Sequence, residues 1–184
     1  MTSTRLSLQL IKNREGYNMY NIANVKKQIK TAGKDRLLYN AAQHYISNAH
    51  YIINVEDFIL PIVLEACKTI TDNVTVSGGN VIQDAKPFDA KQLINNTQDG
   101  ANNQLQVTGF YKKIDKKEYT VLLRADGEMV AINREHYDMI ASPEDCIFKQ
   151  NNKYDPVVVS TSTEEFVMLV CPCKFNIMYK IVAN

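Results

Sequence analysis

Glu164-Glu165-Phe166-Val167-Met168-Leu169-Val170-Cys171 is the stretch on which the fold turns, a β-branched and aromatic run that Pro172 closes. Beyond it, Lys174-Phe175-Asn176-Ile177-Met178-Tyr179-Lys180-Ile181-Val182 alternates, with Phe175, Ile177, Tyr179 and Ile181 on one face, which is the pattern of a half-buried strand. Upstream, Val157-Val158-Val159 followed by Ser160-Thr161-Ser162-Thr163 predicts a third strand and a turn.

Working outward, residues 105–111, 119–125 and 128–132 predict three more strands, the last two joined by the hairpin signal Asp126-Gly127. Asn133 caps a short helix through Ile140. Residues 74–82, centred on Gly78-Gly79, read as a tight hairpin. A short helix capped by Asp89 is expected within 87–95, followed by an exposed, flexible polar loop over 95–104 that orders only against a partner.

The first 73 residues read differently. Leu6, Leu8 and Leu10 fall at period two and predict a strand over residues 4–10, with a helix capped by Ser3 or Thr4 as the competitor. Residues 13–21 read as a loop. Ile22, Val25 and Ile29 then lie at helical spacing up to a stop at Gly33. An amphipathic helix over 35–48 follows, its stripe made of Leu38, Ala41, Ala42, Tyr45, Ile46 and Ala49. Asn54-Val55-Glu56-Asp57 starts a further helix continuing from Phe58 to Ile70. Its apolar segment Phe58-Ile59-Leu60-Pro61-Ile62-Val63-Leu64 implies either the buried centre of the fold or an oligomer contact, with a kink or restart at Pro61. The resulting expectation is an α+β fold: a mainly helical part over 1–73 and an antiparallel β part with short helices over 74–184, in one compact unit.

At 184 residues the chain can bury a real core, and 21 basic against 20 acidic residues give a formal charge of +1. That balance argues against broad non-specific binding of nucleic acid. With no long apolar run and no signal-peptide core at the start, the expectation is a chain made and kept in a cytoplasm, away from membrane. The cysteines Cys67, Cys146, Cys171 and Cys173 are too sparse for a disulfide framework. Cys171-Pro172-Cys173 lacks a second close pair, and His44, His50 and His136 do not stand at finger spacing from it, so neither metal nor cofactor is expected.

No nucleophile elbow, Walker loop or paired-histidine motif occurs, which speaks against an enzyme. Tyr39, His44 and His50 read as packed or surface residues. The adjacent acids Glu56-Asp57, Glu144-Asp145 and Glu164-Glu165 read as caps and solvated turns. Lys112, Lys113, Lys116 and Lys117, interleaved with Phe110, Tyr111 and Tyr119, form the densest basic cluster, read as a hairpin end guarded against edge pairing or as a stacking platform for nucleic acid.

The order of a short helix from Arg134 to Ile140, Ser142-Pro143, Lys153-Tyr154-Asp155-Pro156-Val157-Val158, a strand, Cys171-Pro172 and a closing strand with an aromatic centre resembles the C-terminal part of structural proteins of crAss-like tailed phages. It covers about a quarter of the chain. The closing strand here stops without the basic, proline-bearing tail of that family. The resemblance implies a virion protein made in the host cytoplasm, a ring or adaptor subunit of the head-to-tail connector. Its implied partners are further copies of itself and portal and tail components. Phe58, Leu60, Ile62, Phe110 and Tyr111 are the expected contact residues. The alternative, from the lysine cluster, is a small cytoplasmic nucleic-acid-binding or regulatory protein.

Overall fold

The computed structural model describes residues 19–83 and 87–173. In chain order they form α1 (Ile22–Asp35), β1 (Leu37–Asn40), β2 (Tyr45–Ser47), β3 (Tyr51–Asn54), α2 (Leu60–Cys67), β4 (Val74–Ser77), β5 (Asn80–Gln83), α3 (Ala90–Gly100), β6 (Asn103–Ile114), β7 (Lys117–Arg124), β8 (Met129–Asn133), α4 (Arg134–Tyr137), a 3-10 turn (Pro143–Asp145), β9 (Cys146–Gln150), β10 (Val157–Thr161) and β11 (Phe166–Val170). All eleven strands join one sheet, in the order β5-β4-β1-β2-β3-β11-β10-β9-β6-β7-β8, and every named strand pair in it is antiparallel.

This corrects the expected helical part followed by a β part. The helices are short and scattered along the chain, and β1, β2 and β3 fall inside the first 73 residues. β3 pairs directly with β11, Met168 opposite Ile53 and Leu169 opposite Ile52, so the sheet runs without a break across residue 73.

The largest single departure is the helix expected over 35–48. Helix α1 passes through Gly33 and ends at Asp35, and the chain then turns extended into the β1–β2 hairpin. Asn40 decides the outcome locally. Its side-chain oxygen accepts from the Gln43 N–H at 3.0 Å, and its amide donates to the Phe88 carbonyl at 2.8 Å. Such a side chain competes with the helical ladder by offering the backbone a turn. The Ala41 N–H donates to the Asn73 side-chain oxygen, and His44 takes the left-handed φ of +58° that completes the turn. Leu37 and Tyr39, two apart on one strand face, are fully buried, and the spacing of Leu38, Ala41 and Tyr45 proves coincidental.

Pro61 lies in the first turn of α2, which starts at Leu60 and not at Asn54, so no kink arises. A proline there removes a donor that would have no partner in any case. In α3 the Asp89 cap is present, accepting from the Gln92 N–H at 2.9 Å, but the helix continues through the polar run to Gly100. Ala90 and Ile94 on one face of α3, with Ala101 just beyond its end, bury against Ile52, Val158 and Leu169, while its polar residues stay in water. The Gly78-Gly79 hairpin, the strands about Asp126-Gly127 and the Asn133 cap all occur as their residues imply. The strands expected over residues 4–10 and 174–182 lie outside the described residues.

Two layers of core explain why β11 reads as unbroken apolar sequence. Tyr51, Ile53, Val157, Val159, Met168 and Val170 face the larger core, which α1 and α2 help to enclose. Ile52, Val158 and Leu169 face α3 on the opposite side. A strand covered on both faces has no solvated positions to fill with polar residues. Beyond β11, Pro172 bridges to Ile132 of β8, and the Cys173 N–H donates to the Ala131 carbonyl at 2.8 Å. The six strands from β11 round to β8 therefore curl on themselves, and among the described residues β5 stands at the edge of the sheet.

Candidate protein-contact surface

The feature that stands apart from both cores is the outer half of the β6–β7 hairpin. Its base is ordinary ladder, Leu105 opposite Arg124 and Val107 opposite Leu122, after which the register jumps to Tyr111 opposite Thr120. The irregularity has a local cause. The Thr108 hydroxyl donates to the Val121 carbonyl at 2.7 Å and accepts from the Phe110 N–H at 3.1 Å, while Gly109 between them sits at φ +73°. A bulge of this kind bends a strand and re-aims the residues beyond it. Past the bulge, Phe110 is 74% exposed and Tyr111 59%, the two most exposed large hydrophobic side chains among the described residues.

The ladder then pairs Lys112 with Tyr119, Lys113 with Glu118 and Ile114 with Lys117, and Asp115 in the closing turn takes φ +54°. Partners across a ladder share a face. Phe110, Lys112, Ile114, Lys117 and Tyr119 thus form one face of the arm, and Tyr111, Lys113, Glu118 and Thr120 the other. Four lysines stand against Asp115 and Glu118, so the arm is basic as well as aromatic.

Among the other expected contact residues, Ile62 is 7% exposed and belongs to the main core. Phe58 and Leu60 are half-buried against that core, and the Phe58 ring lies 6.3 Å from the ring of buried Tyr20. The structure thus brings Phe58, Leu60 and Ile62 together against the core of the chain, and places Phe110 and Tyr111 at its surface.

A second surface escaped the sequence reading. At the start of β11 the rings of Tyr45 and Phe166 meet edge to face at 6.0 Å, both half-buried. The β3–β11 pairing sets Glu56 and Asp57, which follow β3, beside Glu165, which precedes Phe166. Burial, with Asp57 and Glu165 adding to it, holds the Glu56 carboxyl above the usual carboxylate range. Both acidic pairs are visible in the sequence, but only strand pairing unites them around an aromatic pair.

His136 packs near the base of the arm, 6% exposed, stacked at 6.3 Å on His50 and edge-on at 5.2 Å to Tyr51. Burial first, and His50 next, push its imidazole down to about 4. Neither its Nδ1 nor the Tyr51 hydroxyl has a hydrogen-bond partner among the described residues. Burial likewise pushes the Cys67 thiol up to about 11, the opposite of the lowered pKa that makes a thiol reactive. Among the described residues no group of three His, Cys, Asp or Glu side chains converges as metal ligands, and no helix is long and apolar enough to cross a membrane. A cleft of about 240 Å³ between α1, α2 and the Gly78-Gly79 turn, floored by Ile29, Ile62 and Val76, is smaller than usual small-molecule sites of roughly 300–1,000 Å³. A second, open cleft of about 530 Å³ lies along the base of the β6–β7 hairpin, lined by Leu105, Leu123 and Arg124. The surfaces that stand apart among the described residues are an aromatic, basic arm and an aromatic, acidic corner. No protein-family model, curated protein or solved structure matches the chain.

Proposed function

We propose that this protein is a virion structural protein, a subunit of a homo-oligomeric ring or adaptor in the head-to-tail connector of a tailed phage. The observation that carries the reading is the projecting β6–β7 arm, where Phe110 and Tyr111 stand in solvent beyond a bulge built by Thr108 and Gly109. Exposed aromatic side chains on a projecting element mark a contact surface. The resemblance of residues 134–182 to crAss-like phage structural proteins supplies the assembly and the partners, portal and tail components.

The test is mass in solution, together with retention of the protein in purified particles. A closed oligomer that co-purifies with particles supports the reading. A protein that stays monomeric at high concentration and is missing from particles overturns it. The same arm favours one rival, single-stranded nucleic acid stacked on Phe110 and Tyr111 with phosphates on the lysines. Oligonucleotide binding that weakens steeply with salt, by a monomer, would establish that rival.

A further inference from the structure

The arm and the acidic corner lie at opposite ends of the same strand. Phe166 begins β11, and Tyr45, Glu56, Asp57 and Glu165 gather there. Six residues later, roughly 20 Å at strand rise, Pro172 bridges to Ile132 of β8 and the next residue, Cys173, bonds to Ala131. Ala131 is paired with Val121 of β7, and Asn133 with Tyr119, the residue at which the arm leaves the body. One subunit thus presents a basic, aromatic projection at one end of β11 and an acidic, aromatic corner at the other.

We infer that in the assembled state the arm of one subunit docks on the Tyr45–Phe166 corner of the next copy, its lysines facing Glu56, Asp57 and Glu165. The inference rests on the reading of the chain as a self-assembling ring subunit and names the two faces that meet. Charge complementarity selects the occupant, because the arm carries four lysines against two acids and the corner gathers three acids. The aromatic content matches as well: Phe110 and Tyr111 are exposed, and Tyr45 and Phe166 are half-buried with an edge-to-face geometry that further rings can extend. Because the two faces differ, the contact is heterologous, the type that builds a ring when its rotation closes.

Charge reversal tests the pairing, with exposed positions chosen on both sides. One variant carries Lys113→Glu and Lys116→Glu on the arm, and the other carries Asp57→Lys and Glu165→Lys at the corner. Each alone should raise the concentration at half-assembly by about tenfold or more at low salt, because like charges then oppose each other. A one-to-one mixture of the two should assemble again, since each reversed face then meets its complement. Circular dichroism and thermal melts matching wild type confirm that both variants fold. If wild type assembles and either variant assembles equally well, or the mixture fails to recover, this pairing is wrong and the ring reading stands. If wild type itself never assembles, the ring reading falls and the pairing with it. Wild type that remains monomeric and binds a thymidine oligonucleotide with steep salt dependence overturns both in favour of nucleic acid.

Discussion

Strand β11 and the outer half of β6 are both built from good strand formers, Phe166-Val167-Met168-Leu169-Val170 in one and Phe110-Tyr111-Lys112-Lys113-Ile114 in the other. Met168 and Val170 are wholly inaccessible, while Phe110 is 74% exposed. The difference lies in how many faces the tertiary structure covers. β11 has β3 and β10 on its edges and apolar cores above and below it, whereas the outer half of β6 is paired with β7 and belongs to neither apolar core. Strand propensity measures fit to a pleated surface and says nothing about what will lie against it.

The comparison breaks most sharply by substitution at its two poles. Met168→Asp places an unpaired charge between β3 and β10 in the main core, a cost of several kcal/mol, of the same order as the whole stability of a domain. Circular dichroism should show loss of the folded state at ordinary temperature. The same change at Phe110 should leave folding intact.

Acid is expected to act next most strongly, through His136 at the seam between the body and the arm. Its folded-state pKa of about 4 lies below the ordinary value of 6.5, so the unfolded chain binds the proton more readily. The contribution is full above about pH 6.5 and is lost as pH falls toward 4, amounting to about 3 kcal/mol over that window. Urea midpoints measured across this range should fall in wild type and fall less in His136→Phe. Equal slopes in the two proteins would remove His136 as the cause.

Gly109→Val probes the bend that re-aims the arm. A β-branched residue at φ +73° is strained, at a cost of about 1–3 kcal/mol. No steric clash opposes it, since nothing lies within 4 Å of a Cβ built there, so the loss is one of backbone conformation. Reduced stability together with weakened assembly is the expected result. Restored ladder pairing without loss of assembly would show that the bulge does not orient the contact.

Phe110→Ala should have the smallest effect on the isolated subunit, within about 0.5 kcal/mol by urea denaturation, while weakening assembly. A substantial loss of stability would mean that the ring is held by its own subunit.

Much of the hairpin architecture is legible from local chemistry. Gly78-Gly79 closes the two-residue turn its dipeptide implies, Asp126-Gly127 falls in a hairpin turn that also takes in Ala125, with Gly127 alone at positive φ, and Asp89 and Asn133 accept the capping bonds expected of them. In each case the deciding atoms are within a few residues. The candidate contact surface is half legible by the same measure. Phe110 and Tyr111 interleave with lysines in the sequence, but Phe58, Leu60 and Ile62 carry the same apolar signal and turn inward.

What the sequence determined by itself is the central residues of β6, β7, β8, β10 and β11 with the caps at Asp89 and Asn133, whereas β9 (Cys146–Gln150) carries no signal that set it apart and forms because β6 and β10 flank it. Tertiary structure decided that β1 and β2 replace a helix: Asn40 offers a local turn, but Leu37 and Tyr39 are sealed by α1 and by β4, and the turn is also held by Asn73 and by Phe88 from far along the chain. It also decided that residues 95–100 stay helical, because Ala90 and Ile94 find Ile52, Val158 and Leu169 to bury against. The acidic corner belongs to the same class. Glu56-Asp57 and Glu165 are more than a hundred residues apart, and only the pairing of β3 with β11 makes them neighbours.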